Sequence, residues 1–111
     1  MAKIVEHVGN IDKKTLAKLA TMPMAHSIYK ETDSAAQITL DIVAGAIVQD
    51  ERGESAYFID KTGEIYRTSS SRVYTALIDA IEIAGDEPAK YTFFRATSQR
   101  TGNEYLTFEI E

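Results

Sequence analysis

The chain has no cysteine and no tryptophan, and only two prolines and two histidines among its 111 residues. Without cysteine there is no disulfide framework, no thiolate nucleophile and no cysteine-ligated zinc site. No apolar run approaches the roughly 18 residues that a membrane-spanning helix needs, and Met1 to Asn10 lacks the apolar core of a secretory leader. These absences lead to the expectation of a soluble, cytoplasmic protein with no membrane partner. The catalytic inventory is equally thin. His7 and His26 stand apart from any nucleophile and orienting group, and the zinc-protease, nucleophile-elbow, dinucleotide and Walker motifs are all missing. The acids of Asp50-Glu51-Arg52-Gly53-Glu54 do not have the spacing of a calcium loop and read as a solvated turn. The expectation is a protein that is not an enzyme and needs no metal or cofactor.

What is present suits one compact domain, with 44% apolar and 26% charged residues. The net charge of -5 argues against a general polyanion binder, because strong nonspecific binding uses Lys and Arg to neutralise phosphates. The imbalance is uneven: residues 1–34 hold five lysines against four acids, and residues 35–111 hold seven bases against thirteen acids.

Residues 1–34 read as an N-terminal arm with a short helix. Leu16, Leu19 and Ala20 follow a capping Asp12 at helical spacing, and Pro23 ends the helix near Met22. His26 to Ser34 reads as a connection. Ile4, Val5, Val8, Met22 and Met24 are left to pack on the same core or on another subunit. From Ala36 the pattern becomes strand, in one long run through Val48 with Gly45 as a candidate corner. A turn at 50–54 leads to a strand at Ser55 to Ile59. Asp60-Lys61-Thr62-Gly63 is a tight hairpin signal, since Asp60 can bond forward to the backbone and Gly63 can take positive φ. Strand Glu64 to Thr68, a serine-capped helix Ser71 to Ala84 stopped by Gly85, a connection closed by Pro88, and strands Lys90 to Thr97 and Glu104 to Ile110 complete the chain. The β-β-β-α-β-β order over residues 35–111 is that of an OB-fold-like five-stranded, partly open barrel, a β-rich α+β fold.

Side-chain alternation then suggests a surface. With Ile65 inward, Tyr66 points out beside Arg67. With Phe94 and Ala96 inward, Phe93 and Arg95 point out. With Leu106, Phe108 and Ile110 inward, Tyr105 points out. Tyr57, Lys61 and Arg100 complete a set able to stack bases and neutralise phosphates, of which the ring stacking contributes about 1–3 kcal/mol per base. The acidic turn at 50–54 would repel phosphates.

Gly63-Glu64-Ile65-Tyr66-Arg67-Thr68, the helix Ser71 to Ala84, and Phe94-Arg95-Ala96-Thr97-Ser98-Gln99-Arg100-Thr101-Gly102-Asn103-Glu104-Tyr105-Leu106-Thr107 resemble small OB-fold single-stranded DNA-binding proteins of bacterial phages and plasmids. The resemblance implies a non-enzymatic protein that coats exposed single strands, DNA or RNA, in replication, recombination or transfer. It places stacking and backbone contacts at Tyr66, Arg67, Phe93, Arg95, Arg100 and Tyr105. Edge strands and the N-terminal arm would serve self-association. The alternative from the acidic excess is a protein-interaction module, such as a phage-encoded inhibitor of a host protein.

Overall fold

Strand structure begins well before Ala36. The computed structural model describes residues 2–85, 87 and 89–111, and within them Lys3–Gly9 already forms a first strand, β1. Helix α1 (Lys13–Ala20) follows as its pattern predicts, with the Asp12 carboxylate accepting from the Thr15 amide at 2.7 Å. Hydrogen bonding from the Thr15 side chain, and then from this amide, lowers the Asp12 pKa. The helix stops short of Pro23, with Met22 at φ 54. The stretch read as a connection contains β2 (His26–Ser27), a single-turn helix α2 (Ile28–Glu31) and a 3-10 turn at Asp33–Ala35.

The long strand expected from Ala36 is two strands. β3 (Ile38–Leu40) and β4 (Ile42–Asp50) break at Asp41, and the register against the next strand shifts between Ile42 and Ala44. The bend therefore lies at Asp41, not at the predicted corner Gly45. Gly45 has a different job. It sits directly across from Phe58 of β5 (Gly53–Asp60), and a Cβ there would lie 2.4 Å from the Phe58 ring. The fully buried ring can pass only because position 45 has no side chain. Gly45→Ala should accordingly overpack the core and cost about 1–3 kcal/mol, read as a lower urea midpoint at unchanged slope. An unchanged midpoint would show that the ring relocates freely.

The turn after β5 forms as its residues dictate. Asp60 Oδ1 accepts from the Thr62 amide, the Thr62 hydroxyl and the Glu64 amide at 2.9, 2.6 and 3.1 Å, and Gly63 takes φ 92. β6 (Ile65–Thr68) leads to α3 (Ser71–Ala84), which buries Val73, Tyr74, Leu77, Ile78 and Ile81 and ends at Gly85 with φ 60. Pro88, read as closing the connection to the next strand, lies outside the described residues. β7 (Tyr91–Thr97) and β8 (Glu104–Ile110) form the final hairpin.

These elements make a β-rich α+β body with a five-stranded sheet, order β1-β4-β5-β6-β2, and a three-stranded sheet, order β3-β7-β8. All pairings are antiparallel except β2 with β6. The consecutive strands β3 and β4 join the sheets on one side. On the other side β6 pairs with the short β2 and not with β8, so the barrel does not close.

The main core lies between the sheets and α3, around Phe58, Leu77, Tyr91 and Phe93. A second core lies on the other face of the larger sheet, where α1 covers Ala46, Val48 and Tyr57 with Leu19. With both faces covered, β4 is buried continuously from Ala44 to Val48, which is why it reads as an unbroken apolar run. Residues 1–34 contribute Val8 and Ile28 to the main core, and Ile4, Leu19 and Met22 to the second. Ile4, Val8 and Met22 thus pack on this body, whereas Val5 (49% exposed) and Met24 (96% exposed) do not. Among the described residues no helix is long and apolar enough to cross a membrane.

Candidate nucleic-acid interface

The unclosed side of the body is a seam between β6 and β8. A depression of about 430 Å³ there is lined by Ser27, Tyr29, Arg67, Thr68, Ser69, Ser70, Glu104, Tyr105 and Leu106. An adjoining one of about 550 Å³ runs between Arg72 and the β7–β8 loop and includes Arg100. The two share Glu104 and Tyr105, so Tyr105 stands in the middle of one continuous groove. Tyr105 is 37% exposed, and the Arg72 guanidinium lies 5.4 Å from its ring centroid.

Arg67, Arg72 and Arg100 form no salt bridge with any described residue. Among the described residues Glu104 is the one carboxylate lining the groove. Three guanidinium groups and a half-exposed ring therefore meet in a concave strip, on a chain whose net charge is negative. The Ser70 side chain makes no capping bond to α3, which begins at this groove. The acidic turn at 50–54 stands near the same end of α3, where the Tyr74 hydroxyl donates to Glu54 at 3.0 Å. Among the described residues no group of three His, Asp or Glu side chains could hold a metal ion.

Of the residues expected at the surface, Arg67, Arg100 and Tyr105 come together. The others do not. Tyr57 is 2% exposed beneath α1, where burial raises its pKa while the Arg67 charge acts in the opposite sense. Phe93 is 0% exposed and packs on Phe108, with ring centroids 5.6 Å apart. The facing of β7 is therefore the reverse of the expected one: Tyr91 and Phe93 point inward. Tyr66 is turned to the main core, half-buried, its ring 5.3 Å from that of His26. Ile65, expected to fill that core, fills the second one instead. Lys61 is paired with Asp41 at 3.3 Å and lines a different cavity, by the C-terminal end of α3.

Arg95 has the inward parity of Phe93, and its side chain is only 11% exposed. Its guanidinium lies 3.7 Å from the Tyr29 ring centroid, pairs with Asp33 at 3.3 Å and donates to the Tyr29 carbonyl. The Nε atom is buried without a partner among the described residues. Arg95 thus holds α2 and the 3-10 turn against β7, which leaves it no free charge for a ligand. Arg95→Met would keep the stem and remove these bonds; it should lower stability by about 1–3 kcal/mol, read by urea unfolding, and a smaller loss would mean the strap needs no anchor.

Two groove residues escape a reading of the sequence. Tyr29 belongs to the stretch taken as a connection, and Arg72 to the first turn of a helix whose apolar stripe dominates the pattern. Only the serine run before Arg72 hinted that this helix start is polar. Comparison with known proteins finds no match: no family model fits the chain, and neither a curated protein nor a solved structure is significantly similar to it.

Proposed function

We propose that the protein binds single-stranded nucleic acid, with little sequence preference, along the seam between β6 and β8. The observation that carries this reading is the set of Arg67, Arg72 and Arg100, without a salt bridge among the described residues, around the half-exposed Tyr105, with Tyr29 at the groove wall. A ring stacks any base, and guanidinium groups beside it engage the flanking phosphates. The groove runs along the loop between the last two strands, one of the loops by which OB-folds hold oligonucleotides. The chain path also favours an open OB-like half-barrel, since β3 and β4 are two parts of one bent run, paired to β7 and β5 respectively. The surface is narrower than the sheet face expected from alternation, because α1 covers that face.

The test is a titration with fluorescently labelled oligo-dT. Binding should weaken steeply between about 50 and 200 mM salt, and duplex DNA of equal length should compete poorly. Tyr105→Ala should weaken binding about 5- to 100-fold, the range of one lost stacking contact, while the melting temperature changes little. Absent or salt-independent binding at low ionic strength would overturn the reading and leave protein recognition, the reading from the acidic excess, in its place.

A further inference from the structure

A cavity at the other end of α3 has no part in the groove. It measures about 800 Å³, within the range of small-molecule sites. Its floor is apolar, made by Val8, Ile42, Ile81 and Tyr91, all buried. Tyr91 is 1% exposed, and its hydroxyl has no hydrogen-bond partner among the described residues. Burial raises the phenol pKa, so this hydroxyl remains protonated and able both to donate and to accept. The hydroxyl is therefore open to a partner that enters the cavity, and can meet it as donor or acceptor.

The rim is acidic. Asp41, Glu82 and Glu87 line it, and the one cation there among the described residues, Lys61, is already bound to Asp41 at 3.3 Å. The C-terminal end of α3 also faces the cavity through Ala84 and Gly85, and the last turn carries no basic residue. The helix carbonyls add partial negative charge to that of the carboxylates, and no side chain of the helix offsets it.

We infer that this cavity binds a small organic cation, a protonated amine on a hydrophobic body. The body fills the apolar floor beside Tyr91, and the ammonium sits among Glu82, Glu87 and the end of α3. The inference is independent of nucleic-acid binding, because the groove lies at the opposite end of the same helix.

Three isosteric probes test it: phenylbutylamine, phenylbutanol and phenylbutyrate, titrated while backbone amide shifts are followed by NMR. The amine should shift the amides of Val8, Val43 and Ile81 to Ala84 saturably. The alcohol should bind about 5- to 10-fold more weakly and the carboxylate more weakly still. Glu82→Gln lies on an exposed position and should reduce the preference for amine over alcohol to about 2-fold. Tyr91→Phe should weaken amine binding about 3- to 10-fold with an unchanged or higher melting temperature. No saturable shift with the amine, equal affinity for amine and carboxylate, or an amine preference undiminished by Glu82→Gln would each overturn the assignment. Oligo-dT binding is read at Tyr105, so a failure here and a failure of the groove are separate results.

Discussion

Phe93→Ala is expected to destabilise the protein by about 3–5 kcal/mol, the cost of emptying a large buried aromatic site. Phe93 is fully buried in the middle of the three-stranded sheet, with Ile38 opposite it on one side and Phe108 on the other. For a domain of this size the loss is a large part of the whole stability. It should appear as a strongly lowered urea midpoint. Whatever fraction stays folded at low temperature should bind oligo-dT with unchanged affinity, since the ring is remote from solvent. Tyr105→Ala should do the opposite, losing affinity at nearly constant stability. The pair decides which face of β7 is outside. A stable Phe93→Ala variant with lost binding would turn β7 over and restore the sheet-face interface.

The facing of β7 was misread for a definable reason. Tyr91-Thr92-Phe93-Phe94-Arg95-Ala96 has an aromatic at either parity, so alternation alone leaves the choice to Arg95, and a charged residue argues for solvent. Here the charge is satisfied from elsewhere: Tyr29 and Asp33, more than sixty residues earlier, cover and pair it. No local pattern encodes that. Tyr66 failed differently. One-sided alternation assumes one core, whereas the larger sheet has two, and Ile65 and Tyr66 face one each. Features set by neighbours in sequence were legible: the Asp60 turn, α3 from Ser71 to its Gly85 stop, and the β7–β8 hairpin. At the groove, Arg67, Arg100 and Tyr105 were found because two of them flank a hairpin and the third ends a strand. Tyr29 and Arg72 were not, because only the tertiary fold brings α2 and the start of α3 to the seam.

Reversing two charges on α3, Arg72→Glu with Glu82→Lys, should improve the helix and impair the protein. A helix is stabilised by acids in its first turn and bases in its last. α1 follows this, with Asp12 at its start and Lys18 at its end, whereas α3 has Arg72 in its first turn, Glu82 in its last, and neither favourable charge. Each reversal should therefore add about 0.3–1 kcal/mol at low salt, less what is lost when Arg72 leaves the Tyr105 ring, about 0.5–1 kcal/mol at an exposed site. The net expectation is a melting temperature raised by a few degrees, owed mainly to Glu82→Lys. Oligo-dT affinity should fall about 30-fold. A contact of a phosphate with a unit charge is worth about 1 kcal/mol at 4 Å even at the dielectric of water, and Arg72→Glu changes the charge by two units. The loss should shrink as salt rises, and Glu82→Lys alone should not produce it. If the double variant gained stability and kept its affinity, Arg72 would be a surface residue with no ligand, and the unfavourable polarity of α3 would need another cause. If affinity fell as predicted, the polarity that weakens the helix would be the same one that makes its first turn attract an anionic strand.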